Sequence, residues 1–167
     1  MSMQNVTWRE LLGQAPSFPK ELREHLLALL QQVVAQELSV RERLLILLRG
    51  ASYGIDEDVK VAPTRFKIDG VIKRDGFWVA CEVEEGKGAR VELDLLKLMA
   101  FGRRTTEGLP IYGCLIVSDQ PLQRSIVGRS DEAAFSYVKR VLRLLDLPNS
   151  GLDDLLILEL PTPEKSS

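Results

Sequence analysis

The stretch that most constrains this chain runs from Phe66 to Glu85, where two β-rich runs flank Asp75-Gly76. An Asp-Gly pair between such runs is the strongest short-range hairpin signal, because a tight two-residue turn needs φ > 0 at both turn positions. With that pair at the centre, Arg74 faces Phe77, and the numbers of every facing couple share one sum. Asp69 then lies opposite Glu82, and Lys67 opposite Glu84. Side chains alternate along a strand, so Asp69, Glu82 and Glu84 are expected on one face. Ile68, Ile72, Val79, Cys81 and Val83 then form an apolar face on the other side. Directly opposed like charges are destabilising. Carboxylates gathered in this way need compensation, and a hard divalent cation with oxygen ligands supplies it.

The rest of the composition narrows the classes. A chain of 167 residues suits one domain, 1–167, with a sizeable core. Its hydrophobic content of 45% and charged content of 28% are those of an ordinary globular protein. No apolar run is long enough to span a bilayer, and the N-terminus carries no secretory pattern, so the expectation is a cytoplasmic protein without a membrane partner. Cys81 and Cys114 both fall in expected core strands and are expected as reduced thiols. A net charge of −2 does not announce a nucleic-acid binder, so any basic surface must be local. Candidates are Arg65, Lys67, Lys73 and Arg74 around the hairpin, Arg103-Arg104, and Lys139, Arg140 and Arg143. With His25 the single histidine and two distant cysteines, neither a histidine relay nor a structural zinc site is expected.

In order, Thr7-Trp8-Arg9-Glu10 fits a capping box opening a short helix through about Leu12. A longer helix follows from Pro19 to about Glu37, with Leu22, Leu26, Leu29, Leu30, Val33 and Val34 at helical spacing. Ser39-Val40-Arg41-Glu42 is a second capping box, starting a helix that ends at Gly50. This helical part, about 7–50, offers a leucine-rich surface that suits core cover or a homodimer contact. Residues 51–58 read as a loop and 59–62 as a short strand before the hairpin. Glu85-Gly86-Lys87-Gly88 reads as a flexible loop suited to close approach of a ligand. A helix is expected over 90–104, projecting Asp94 and Lys97 together from a side away from its apolar stripe. A fully covered strand follows at 111–117. Residues 118–129 read as irregular or briefly helical. Ser130 is expected to cap a helix from 131 to about 145, and a last strand spans 155–160.

The order α-β-β-β-α-β over about 59–160, with an acid on the second strand and Glu-x-Glu on the third, resembles the PD-(D/E)XK nuclease superfamily. The residues that carry the resemblance are Ile68-Asp69, twelve intervening residues, then Glu82-Val83-Glu84 and the helix and strand that follow. It implies an α/β, restriction-endonuclease-like αβββαβ core with a mixed central sheet flanked by helices, here with extra N-terminal helices. It also implies a nuclease using Mg²⁺ (or Mn²⁺) on nucleic acid, DNA foremost. Asp69 and Glu82 would be the metal-binding carboxylates and the Val83 carbonyl a further oxygen ligand. Glu84 stands where the family usually has lysine, and Ile68 where it has proline. The cation then comes from elsewhere, with Lys97, Lys87 and Lys67 as candidates. In the implied chemistry Asp69, Glu82, Glu84 and Lys97 carry phosphodiester hydrolysis. Two other readings stand beside it: a catalytically inactive member of the same fold that binds nucleic acid or protein, and an unrelated α/β interaction domain dimerising through its N-terminal helices.

Overall fold

The computed structural model describes residues 3–33, 40–51, 53–84, 91–104, 108–118, 121–124 and 128–160. It is an α/β fold built on a mixed six-stranded sheet with helices on both faces. Thr7 closes the expected capping box, its side chain accepting from the Glu10 N–H while the Glu10 carboxylate accepts from the Thr7 N–H. That box opens α1 (Trp8–Leu11). Thr7 and the two residues ahead of it, Asn5 and Val6, which the sequence reading assigned to no element, form β1 (Asn5–Thr7). Next come α2 (Lys20–Val33), α3 (Val40–Gly50) and β2 (Gly54–Lys60), followed by β3 (Lys67–Lys73) and β4 (Trp78–Glu84). Then follow α4 (Val91–Arg104), β5 (Ile111–Ser118), the small ribbon β6 (Pro121–Arg124) and β7 (Gly128–Ala133), α5 (Ala134–Leu142) and β8 (Asp154–Leu160). The expected cap Ser39 and the Glu85–Gly88 loop, with Lys87, lie outside the described residues.

The sheet runs β1-β8-β5-β4-β3-β2. β4, β5 and β8 are mutually parallel, which requires the crossovers that α4 and α5 provide, while β2, β3 and β1 pair antiparallel. β5 and β8 are interior strands and correspondingly apolar. Leu115 and Val117 of β5 face one core layer with Trp8, Leu98 and Leu142, and Cys114 and Ile116 face the other with Leu26, Leu30 and Leu48. Leu22, Leu26, Leu29 and Leu30 of α2 are thus buried in the chain's own core. Cys81 and Cys114 are register neighbours on β4 and β5, buried and unbridged. No described helix is long and apolar enough to cross a membrane.

The structure corrects the sequence reading at several elements. The edge strand β2 covers most of the expected 51–58 loop. Its acids Asp56, Glu57 and Asp58 resemble loop composition, but an exposed edge needs only occasional apolar residues such as Ile55 and Val59. Residues 121–124 and 128–133 pair as a ribbon, so Ser130 lies in β7 and the N-cap of α5 is Ala133, which makes no side-chain cap bond. At the central hairpin the register holds: Gly70, Val71, Ile72 and Lys73 pair with Cys81, Ala80, Val79 and Trp78. The turn chemistry does not. Neither Asp75 nor Gly76 lies in the left-handed region; the loop closes with the Arg74 N–H donating to the Phe77 carbonyl at 2.9 Å. An even-length loop of any type keeps that register.

Candidate active site

Alternation along β3 breaks at Asp69, and the break builds the site. Asp58, directly across β2, has φ of 49°, and the β2–β3 ladder omits the Asp58–Asp69 couple. An aspartate tolerates this left-handed conformation better than most residues. Beyond the kink Ile68 packs into the layer of α4, whereas Ile72 packs into the layer of α2 and α3. The two were expected on one face; the irregularity opposite Asp58 separates them. On the other side the β3–β4 ladder stops at Gly70 and Cys81, while β4 stays paired with β5 through Glu84. β3 and β4 part where the acids begin.

Side chains take over the lost backbone pairing. The Asp69 N–H donates to Glu82 Oε1 at 3.1 Å, and the Val83 N–H donates to Asp69 Oδ2 at 2.9 Å. Each carboxylate therefore satisfies a main-chain donor of the opposite strand. Cations meet them from both layers of helices. Lys97 Nζ of α4 lies 3.1 Å from Glu82 Oε2. Arg41 of α3 lies 3.2 Å from Asp69 Oδ1 and 2.6 Å from Asp58 Oδ1.

Asp94, one helical turn before Lys97, adds a fourth carboxyl. It is buried at 5% exposure, hydrogen-bonds with Glu84, and its Oδ2 has no hydrogen-bond partner. Burial pushes the Asp94 carboxyl up to about 8, with the charges of Glu82 and Glu84 adding and Lys97 opposing. Burial likewise pushes Glu82, 2% exposed, up to about 7; Asp69 adds to the shift, and the Lys97 ammonium opposes it. The desolvation of an anion outweighs one neighbouring cation in both cases.

The structure thus brings together Asp69, Glu82, Glu84, the Val83 main chain and Lys97, and it places Lys67 exposed on β3 beside Lys60 of β2. Two members were not among the expected site residues. Asp94 was expected to project together with Lys97 from the helix that directly follows the Glu-x-Glu strand, but not as a buried carboxyl of the site. Arg41 had no local signal, since only the docking of α3 brings it to Asp69. The oxygen-only donor set and the orphaned Asp94 Oδ2 suit a hard divalent cation in chemistry. Among the described residues, however, no group of three or more His, Cys, Asp or Glu is arranged to hold a metal ion. A scan against protein-family models finds no match, and no curated protein matches the chain.

Proposed function

We propose that the chain is a metal-dependent nuclease of the PD-(D/E)XK type, hydrolysing phosphodiester bonds of DNA at the parting of β3 and β4. One observation carries the reading. Two buried or half-buried acids on adjacent strands, Asp69 and Glu82, meet an ammonium from the following helix where the sheet opens. Carboxyl groups with strongly raised pKa values cluster at functional sites, because burial and like charge are what activity asks for and stability does not. Asp69 and Glu82 would hold a magnesium-type ion, with Glu84, Asp94 and the Val83 main chain beside it. Such an ion, when bound, polarises the scissile phosphate and lowers the pKa of a coordinated water.

The chain's own groups supply the rest. Lys97 stands in for the lysine that Glu84 replaces, neutralising charge that builds on the phosphoryl oxygens. Glu84, whose partner Asp94 keeps its proton at neutral pH, is placed to orient the attacking water or take its proton. Asp69→Ala and Glu82→Ala are expected to abolish magnesium-dependent cleavage of DNA while leaving circular dichroism and the unfolding transition cooperative. Cleavage by the wild-type chain without divalent ions, or wild-type rates in either variant, overturns the proposal.

A second reading has its own support in the ion pairs Arg41–Asp69 and Lys97–Glu82, which already neutralise the acids. It makes the chain a nucleic-acid-binding member of the same fold, with the carboxylates closing the sheet. DNA binding with no cleavage under any divalent ion selects it.

A further inference from the structure

The acidic site occupies one end of α4, and an open cavity of about 420 Å³ lies near the other, lined among the described residues by Thr64, Ala100, Arg103 and Arg104. Lys97, Ala100 and Arg104 stand at i, i+3 and i+7, so they follow one row of the helix surface. That row begins at the ammonium beside Glu82 and ends in the cavity. Ala100 between the two cations leaves space where a longer side chain would fill it.

The walls are held in place. The Thr64 hydroxyl donates to the Val61 carbonyl and accepts from the Phe66 N–H at 3.1 Å, which fixes the turn between β2 and β3. The last turn of α4 is pinned by contact of Gly102 with Gly151. Four of the other basic groups singled out in the sequence are engaged: Lys73 pairs with Asp56 at 2.9 Å and covers Trp78, Arg74 covers Tyr53, Lys139 covers Phe135, and Arg140 covers Tyr137. Arg103 and Arg104 are exposed and make no ion pair or ring contact among the described residues. Cations in a helix's last turn offset its dipole, which accounts for a basic C-terminus but not for a cavity with a threonine wall opposite.

Resting on the nucleic-acid reading above, we propose that this cavity is a phosphate-binding subsite for the sugar-phosphate backbone of the strand whose phosphodiester lies at the acidic site. Arg103 and Arg104 supply the charge. Lys97 and Arg104 are about 10 Å apart along the helix axis, which spans about three steps of one strand at its axial rise. The contact reads no base; it positions the strand.

The test is binding rather than cleavage. Affinity of the full chain for a short labelled DNA duplex is measured in EDTA by fluorescence anisotropy over a salt series. Each phosphate contact contributes about 0.9 to the slope of log K against log salt. Arg103→Ala and Arg104→Ala are each expected to lower the slope by about that amount, and the double variant by about twice as much. Arg103→Lys with Arg104→Lys keeps the wild-type slope, which separates charge from fold. Lys20→Ala removes a charge from the opposite helix layer and leaves the slope unchanged. A double alanine variant with the wild-type slope, or an equal loss in Lys20→Ala, overturns the subsite alone. Binding that depends on both arginines without magnesium-dependent cleavage keeps the subsite and overturns the nuclease reading. A wild-type chain that does not bind DNA overturns both.

Discussion

Glu82 and Asp94 keep protons that water would take from them. In the unfolded chain they titrate near 4.5 and 3.8; in the fold burial raises them to about 7 and about 8. The folded state therefore binds more protons than the unfolded one between those limits, and stability falls as pH rises. The contribution is complete below about pH 4 and is lost by about pH 8, the reverse of the usual behaviour of a salt-bridged carboxylate. Asp94→Asn keeps the shape and removes the titration. Its urea midpoint is expected to match the wild type near about pH 3 and to exceed it by a margin that widens from about pH 5 to about pH 8. Parallel pH profiles for the two proteins would remove Asp94 as a cause. The cost is tolerable at one place in a fold, and it sits where Asp69, Glu84 and Lys97 also converge.

At the scale of elements, the hairpin and α4 make the site, and the glycine that matters is not the one the sequence advertises. An added Cβ at Gly76 meets nothing within 4 Å, and the residue is not in the left-handed region, so Gly76→Ala is expected to change stability by less than about 0.5 kcal/mol. A Cβ at Gly102 would lie 2.9 Å from the Gly151 carbonyl carbon and 2.9 Å from Leu152 Cδ2. Gly151 cannot easily yield, because its φ of 81° suits glycine alone. Gly102→Ala is therefore expected to cost about 1–3 kcal/mol in chemical denaturation; a neutral result would mean α4 slides freely on the β8 turn. The contrast shows what was legible. The register of Asp69 against Glu82 follows from loop parity, and α4 and β5 follow from periodicity, because these are properties of one or two neighbouring segments. β2, β6 and β7 were lost because edge and ribbon strands need little apolar alternation. Gly102, Asp94 and Arg41 owe their roles to how helices dock on the sheet, which no local pattern encodes.

At the scale of the whole molecule, the sheet is closed by its own N-terminus, and a single buried carboxylate holds that closure. β1 pairs with β8 through Asn5, Val6 and Thr7, and Trp8 Nε1 donates to the Leu142 carbonyl at 2.8 Å across the α5 layer. Asp154, fully buried at the start of β8, accepts from the N–H groups of Arg9 and Ser17 at 3.0 Å, Phe18 at 3.2 Å and Leu155 at 2.9 Å. The carboxylate thus ties α1 and the connection to α2 to the strand beside which β1 lies. In sequence these partners stand 145, 137 and 136 residues away, which is why no local pattern singles out Asp154. Asp154→Ala leaves several main-chain donors without an acceptor, three of them contributed by the N-terminal segment, and each buried orphan costs about 1–3 kcal/mol. A total loss of about 3–5 kcal/mol is expected, with Asp154→Asn intermediate because its amide offers one carbonyl oxygen in place of two. Hydrogen exchange distinguishes this from a generic core defect. β1 amides should lose protection in Asp154→Asn before those of β4 and β5, because the clamp acts on the N-terminal segment and not on the interior ladder. Uniform loss of protection across β1, β4 and β5, or a cost under about 1 kcal/mol for Asp154→Ala, would show that the sheet holds its N-terminal edge without the clamp.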